Sequence, residues 1–388
     1  MAGSPQNFDV PMEGIYQGAI APALQDAARK TFKPWHKPRK HFVRLNQWSK
    51  ETRKLLELVR PGDGGELRYL GLPGEDLLDI RVLKTLCVKR NLKLRYLGFD
   101  SSLDSPELNL SRHEVNSDEF IHPSSVVIPD ELGALEAKDS VAYQYVQRHA
   151  PFDVINLDLC NSVTSMEREV IPNLEAIRTL CNIQIERRRQ PWLLFLTTQV
   201  FRDTLDVSIK RRLFDRVLKN ISHSATFYSS LVSTLGIQEN SILSELGPKG
   251  ELDRQKWFRA YVLAIAKWLL HYMMGHDYKL AVRMRRSYVY NVRGGSRDMA
   301  SLAFFIEPVA TLREDETGLT RPRAQPDPAP TEMDLARDLI ESVAEIENLD
   351  DKLNSNKELE LSMFKKSAAL LAGLRYDMRA YQKFALGN

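Results

Sequence analysis

Between Glu66 and Thr197 the sequence alternates short apolar runs with helical periods, and this alternation constrains the fold more than any other feature. Strands are predicted at Glu66–Leu72, Leu92–Phe99, Ser124–Ile128, Phe152–Leu157 and Trp192–Thr197. Helices are predicted at Glu75–Arg90, Glu131–His149 and Val170–Arg188. A polar loop of about 24 residues separates the second and third strands. Strands joined by helices form parallel sheets with right-handed crossovers. These strands are continuous apolar runs, as a sheet covered on both faces requires. The fold class is therefore α/β.

The pattern changes after the fifth strand. Thr204–Met274 reads as three helices inserted into the core. Lys279–Val292 and Met299–Val309 then read as a hairpin around Arg293-Gly294-Gly295-Ser296-Arg297. The expected organisation is a basic arm and helix over 1–60, an α/β core over 61–310 with an insertion at 204–274, a linker over 311–331, and a C-terminal helical appendage over 332–388. Within the arm, a short helix is expected at Ala21–Thr31 and a longer one at Phe42–Val59.

The formal net charge of +3 conceals two opposed blocks. Arg29–Arg60 holds eleven Lys and Arg against Glu51 and Glu57, a net of +9. Glu307–Asp351 holds thirteen Asp and Glu against four Arg, a net of −9. The basic block is interleaved with Phe32, Trp35, His36, His41, Phe42 and Trp48. Cations neutralise phosphates and aromatic faces stack on bases, so Lys33, Trp35, Lys37, Arg39, Lys40 and Arg44 are candidate nucleic-acid contacts. The same composition suits a solvated arm that packs Trp35 and Trp48 on the core, or an arm docked on the acidic block. Arg285 and Arg293, in a second basic cluster with Arg283, Arg286, Arg297, Tyr288 and Tyr290, are further candidates. They equally suit a charged edge that blocks aggregation. Lys210, Arg211, Arg212, Arg216 and Lys219 read as a solvated helix face.

Hydrophobic residues make up 43% and charged residues 27%, which excludes a disordered chain or a disulfide scaffold. No secretory signal or membrane-length apolar run is read, and no membrane partner is expected. Cys87, Cys160 and Cys181 are far apart with no CxxC pair, which reads as reduced thiols in the cytoplasm. The His residues lack metal-ligand spacing, so no metal site is assigned. GxGxxG and GxxxxGK[ST] are absent, which argues against dinucleotide and P-loop phosphate binding.

Ligands of an open parallel sheet bind outside the carboxyl ends of its strands. Leu70-Gly71-Leu72-Pro73-Gly74-Glu75-Asp76 follows the first strand, Asp100 the second and Asp130 the third. Asn156-Leu157-Asp158-Leu159-Cys160 closes the fourth. With the terminal hairpin, these features resemble the class I S-adenosylmethionine-dependent methyltransferase superfamily over Glu66–Val309. The resemblance implies a Rossmann-like methyltransferase sheet and S-adenosylmethionine as cofactor. It implies that Gly71, Pro73 and Gly74 line the methionine part, that Asp100 binds the ribose, and that Asp130 lies near the adenine. Asn156 and Asp158 would hold the acceptor as catalytic residues. The run Arg68-Tyr69-Leu70 stands where the superfamily usually carries an acid.

The expected function is a methyltransferase or methyltransferase-like protein that acts on or binds nucleic acid. The alternative is a catalytically inactive subunit of a bacterial, antiphage defence complex, with protein partners or self-association through the C-terminal helices. Cys160 lacks the preceding proline of pyrimidine C5 methylation and reads as a structural thiol.

Overall fold

The computed structural model describes residues 30–59, 65–101, 105–165, 171–200, 205, 207–247, 250–292, 298–309 and 329–386. The chain divides into two compact units, one of Met1–Phe42 with Leu353–Asn388 and one of Val43–Lys352. The expected arm and the expected C-terminal appendage are thus each split between units. The helix expected at Ala21–Thr31 lies almost wholly outside the described residues.

In the smaller unit, α1 (Pro38–Val43) carries one boundary. At the other boundary are α12 (Leu349–Asn354), then α13 (Lys357–Leu371) and α14 (Met378–Leu386). An aromatic cluster holds this unit. Phe32 stacks on Tyr376 at 4.9 Å and on Phe384 at 5.1 Å between ring centroids. The buried Tyr381 hydroxyl donates to His36 O and to Ser367 Oγ, each at 2.7 Å. The basic segment is therefore anchored by apolar stacking and by a capture of its own backbone. Met363, Phe364, Leu371, Leu374, Met378 and Tyr381 of the C-terminal helices are buried, while Leu361 is exposed.

In the larger unit, a π turn (Arg44–Ser49) leads into α2 (Lys50–Leu58). Then follow β1 (Glu66–Gly71), α3 (Leu78–Arg90), β2 (Lys93–Phe99), α4 (Pro106–Asn116), β3 (Val126–Ile128), α5 (Val141–His149), β4 (Val154–Asp158), α6 (Pro172–Arg187) and β5 (Trp192–Gln199). The insertion comprises α7 (Val207–Ile221), α8 (Ala225–Leu235), α9 (Ile242–Leu246) and α10 (Arg254–Met274), one helix more than expected among the described residues. β6 (Leu280–Asn291) and β7 (Asp298–Pro308) form the hairpin, followed by α11 (Glu332–Ala344) and the short β8 (Glu347–Asn348).

The sheet order is β3-β2-β1-β4-β5-β7-β6-β8. β1 to β5 are parallel and β7 is antiparallel to both β5 and β6. This is the Rossmann-like α/β sheet with a terminal hairpin read from the sequence. Two expectations fail. The polar loop after β2 contains α4, whose Ser105 Oγ caps the Leu108 N–H at 3.3 Å. The helix expected over Glu131–His149 is broken, because Ser140 Oγ caps Tyr143 N at 3.1 Å and restarts the chain as α5.

The helical entry to this unit is pinned to the hairpin. Trp48 packs on Phe195 of β5 with centroids 6.4 Å apart. Gln47 is fully buried; its Nε2 donates to Arg286 O at 2.9 Å and to Ser301 O at 2.8 Å. Its Oε1 accepts from Ser301 Oγ at 2.6 Å. Gln47→Ala removes three hydrogen bonds that tie the π turn to the hairpin and should cost about 2–4 kcal/mol, measured by urea denaturation.

Candidate functional site

Strand order reverses between β1 and β4, which opens a crevice at their carboxyl ends. Gly71 pairs with Gly98 of β2 on one side and with Asn156 of β4 on the other. Asp158 ends β4 opposite Thr197 of β5. The structure thus brings Gly71, Asn156 and Asp158 to adjoining strand ends. Pro73 packs against Gly98, where a Cβ would meet the proline ring at 3.0 Å. Asp100 follows β2, partly exposed, and its N–H donates to Ile128 O at 3.1 Å.

The turn between β1 and α3 needs two left-handed residues. Gly74 has φ +60° with open space where a Cβ would stand. Leu77 has φ 51° and is fully buried, an uncommon conformation for a bulky residue. Its N–H donates to Gly74 O at 3.2 Å. The tight turn leaves Asp76 and Asp79 buried at the start of α3.

Tyr69 lies two residues before Gly71, on the same face of β1. Its ring takes the volume above the glycine: a Cβ on Gly71 would lie 2.5 Å from Tyr69 Oη and 2.7 Å from Cζ. A side chain at Gly71 is therefore excluded by Tyr69. The Tyr69 hydroxyl donates to Asp79 Oδ2 in a short hydrogen bond and accepts from Asn156 Nδ2 at 3.0 Å. Burial pushes the Tyr69 pKa well above its ordinary value, and the Asp79 charge adds to this, so the phenol stays a donor. Burial also raises the Asp79 pKa, against the opposing pull of the Tyr69 hydrogen bond and the Arg44 charge.

Arg44 enters this cluster from the π turn. Burial lowers its pKa, while the charges of Asp158, Asp79 and Asp76 raise it. Arg44 is buried, which corrects its expected place on a phosphate-facing surface. Asp79 Oδ1 and Asn156 Oδ1 are buried with no hydrogen-bond partner among the described residues. Both are acceptors, so they suit a group that brings N–H or O–H donors.

The loop after Asp158 is fixed by buried hydroxyls. Tyr261 Oη of α10 lies 3.0 Å from Ser162 Oγ and 2.9 Å from Thr164 Oγ1. Val163 N donates to Thr198 Oγ1 at 2.7 Å.

Other expected residues lie elsewhere. Asp130 Oδ1 accepts from Glu131 N at 2.9 Å and Oδ2 from Ala142 N at 3.2 Å, so its carboxylate caps local backbone. Lys33 and Trp35 are exposed, Lys37 and Arg39 partly exposed, and Lys40 buried. Arg285 is exposed with its guanidinium 4.6 Å from the Phe305 ring centroid. Arg293 lies outside the described residues, and Tyr288 and Tyr290 are buried. Lys210 is buried and its Nζ donates to Gly250 O at 2.9 Å, so it leaves the solvated face expected of its helix. Cys160 is exposed; Cys87 and Cys181 are buried, and burial pushes the Cys87 thiol up to about 12. Among the described residues no group of His, Cys, Asp and Glu could hold a metal ion. Nor is any helix there long and apolar enough to cross a membrane.

Sequence reasoning missed Tyr69, Asp76, Asp79 and the role of Arg44. The one available signal was Tyr69 standing where the resemblance implies an acid.

Gly71→Ala should cost about 1–3 kcal/mol by overpacking, and the cost should shrink in a Tyr69→Ala background, read by a urea double-mutant cycle. A raised folded-state pKa at Asp79 contributes stability below the unfolded pKa that is lost as pH rises through the folded one. Relative to Asp79→Asn, the parent chain should lose stability as pH climbs above the ordinary carboxylate range in denaturation experiments.

The family described as PP_RS20740-like matches residues 29–386, nearly the whole chain, and the chain belongs to it. No curated protein matches the sequence.

Proposed function

We propose that this member of the PP_RS20740-like family binds S-adenosylmethionine in the crevice between β1 and β4 and methylates nucleic acid. The observation that carries this reading is the acceptor-rich, acid-rich cluster at the strand-order reversal. Asp79 Oδ1 and Asn156 Oδ1 fit the cofactor's ammonium group, and the space at Gly74 leaves room for it. The volume above Gly71 is closed by Tyr69, so the fit runs past Gly74.

When bound, the cofactor supplies an electrophilic methyl group on a sulfonium. Asp100 accepts hydrogen bonds from ribose hydroxyls. Asp79 takes the place of the strand acid, held in position by the Tyr69 hydroxyl. Asp158 orients the acceptor, and its loop is held still by Tyr261. Methyl transfer from a sulfonium needs little proton transfer, so positioning and electrostatics supply most of the rate. Lys33, Trp35, Lys37, Arg39 and Arg285 supply phosphate and base contacts.

A second reading is a methyltransferase-fold binding subunit without catalysis, in a defence complex or another assembly. Tyr69 closing the Gly71 space and Arg44 neutralising part of the acid cluster favour it.

Calorimetry with S-adenosylmethionine and its demethylated product, followed by labelled-methyl transfer to DNA and RNA, decides between them. The first reading expects binding that Asp100→Ala weakens about tenfold or more, and turnover that Asp158→Ala lowers about a hundredfold. Cofactor binding without turnover on any nucleic acid favours the binding subunit. No binding of either compound overturns the cofactor assignment. Charge reversal at Lys33, Lys37 and Arg285 should weaken nucleic-acid binding and flatten its salt dependence.

A further inference from the structure

A second cluster of titratable groups lies at the opposite, amino-terminal rim of the sheet. Arg68 of β1 and Arg95 of β2 are register partners and stand side by side. Both are partly exposed, with side chains 28% and 20% accessible. α5 ends here in Arg148 and His149, with Arg148 exposed and His149 buried. His122 comes from the segment before β3, its Nδ1 2.7 Å from Ser124 Oγ.

One carboxylate serves Arg68, Arg95 and His122. Glu66 Oε1 accepts from Arg68 Nη2 at 2.7 Å and lies 3.7 Å from Arg95 Nη1. Glu66 Oε2 lies 3.8 Å from His122 Nε2. The next acid, Asp153, is engaged elsewhere: Oδ1 is 2.9 Å from Arg188 Nη1 and Oδ2 accepts from Arg68 N at 2.7 Å. Two guanidinium groups, Arg68 and Arg95, thus share the one carboxylate of Glu66, an excess of one positive charge, with Arg148 at the neighbouring end of α5.

Two independent observations mark the cluster as unsatisfied. Arg95 Nε and His149 Nδ1 are buried without a hydrogen-bond partner among the described residues. Burial, then the charges of Arg95, Arg148, His122 and Arg68, push the His149 imidazole down to about 4. Cationic side chains crowded this closely repel one another unless an anion lies among them.

We propose that Arg68, Arg95 and Arg148, with His122, form a binding site for a phosphate dianion at this rim. Arg guanidinium groups match phosphate geometry in paired hydrogen bonds. The dianion offsets the excess charge that Glu66 leaves. Its source is free phosphate or the terminal phosphate of a small ester. The site lies at the end of the sheet away from the Gly71–Asp158 crevice, and it does not depend on the cofactor assignment.

Full-length protein in phosphate-free buffer would be titrated calorimetrically with inorganic phosphate, ribose 5-phosphate and ribose. Saturable binding of inorganic phosphate or ribose 5-phosphate, but not ribose, supports the site, and their ratio identifies the source. Arg95→Gln should weaken binding about tenfold or more. Arg148→Gln, at an exposed helix end, should weaken it without loss of fold. Glu66→Gln removes the competing carboxylate and should tighten it. The His149 pKa, followed by NMR, should rise from about 4 when phosphate is added. No saturable binding, or affinity unmoved by all three substitutions, overturns the proposal.

Discussion

Arg44 sits in the crevice as a buried cation among Asp158, Asp79 and Asp76. Asp76 and Asp79 are buried and Asp158 partly so; carboxylates held close repel, and burying a guanidinium alone is costly. Each side makes the other tolerable. The dependence extends outward, because Arg44, Gln47 and Trp48 lie on the one π turn at helical spacing. Gln47 is bonded to β6 and β7, and Trp48 packs on β5. A slide of this turn along the sheet would break the hydrogen bonds of Gln47 and withdraw the charge of Arg44 in one movement. The helical entry and the electrostatics of the crevice are therefore one constraint.

The two charge blocks do not resolve into a single arm-to-acid contact. Glu307 and Asp338 take Arg283, Glu332 takes Lys267 and His271, and Glu347 takes Arg286 and Lys352. Those acids bind cations of β6, α10 and α12. The N-terminal segment is held by Phe32, His36, Tyr376 and Tyr381 instead. Stacking of this kind is nearly indifferent to salt, whereas exposed ion pairs are screened. Anchoring the segment through aromatic rings leaves Lys33 and Trp35 at the surface, where a polyanion can meet them.

The sheet was legible because its signals are local. Apolar runs marked β1 to β5, and two long strands flanking Gly294-Gly295 marked the hairpin. α4 escaped because only Leu108, Ser111 and Val115 of its eleven residues are buried, so its apolar stripe is faint. The break before α5 rests on one serine cap, which an apolar period does not reveal. At the site, Gly71, Asn156 and Asp158 were legible as strand-end positions. Asp130 was placed at a strand end as well, but its oxygens are taken by the backbone N–H groups of Glu131 and Ala142. Tyr69, Asp79 and Arg44 depend on contacts between β1, α3 and the π turn, which no local pattern encodes.

The two glycines of the first turn illustrate why a motif alone under-determines a site. Gly74 is needed for its backbone, at φ +60° with open space beside it. Gly71 is needed for the volume that Tyr69 fills. A ligand can approach the first and not the second. The carboxylate that the strand lacks then stands on α3, reached through the left-handed Leu77 and held by the Tyr69 hydroxyl. With Oδ2 bonded to the phenol, Asp79 presents Oδ1 alone, beside the equally unpartnered Oδ1 of Asn156. Asp79 Oδ1 and Asn156 Oδ1 are thus two buried acceptors held in place through the tyrosine that stands in the acid's place.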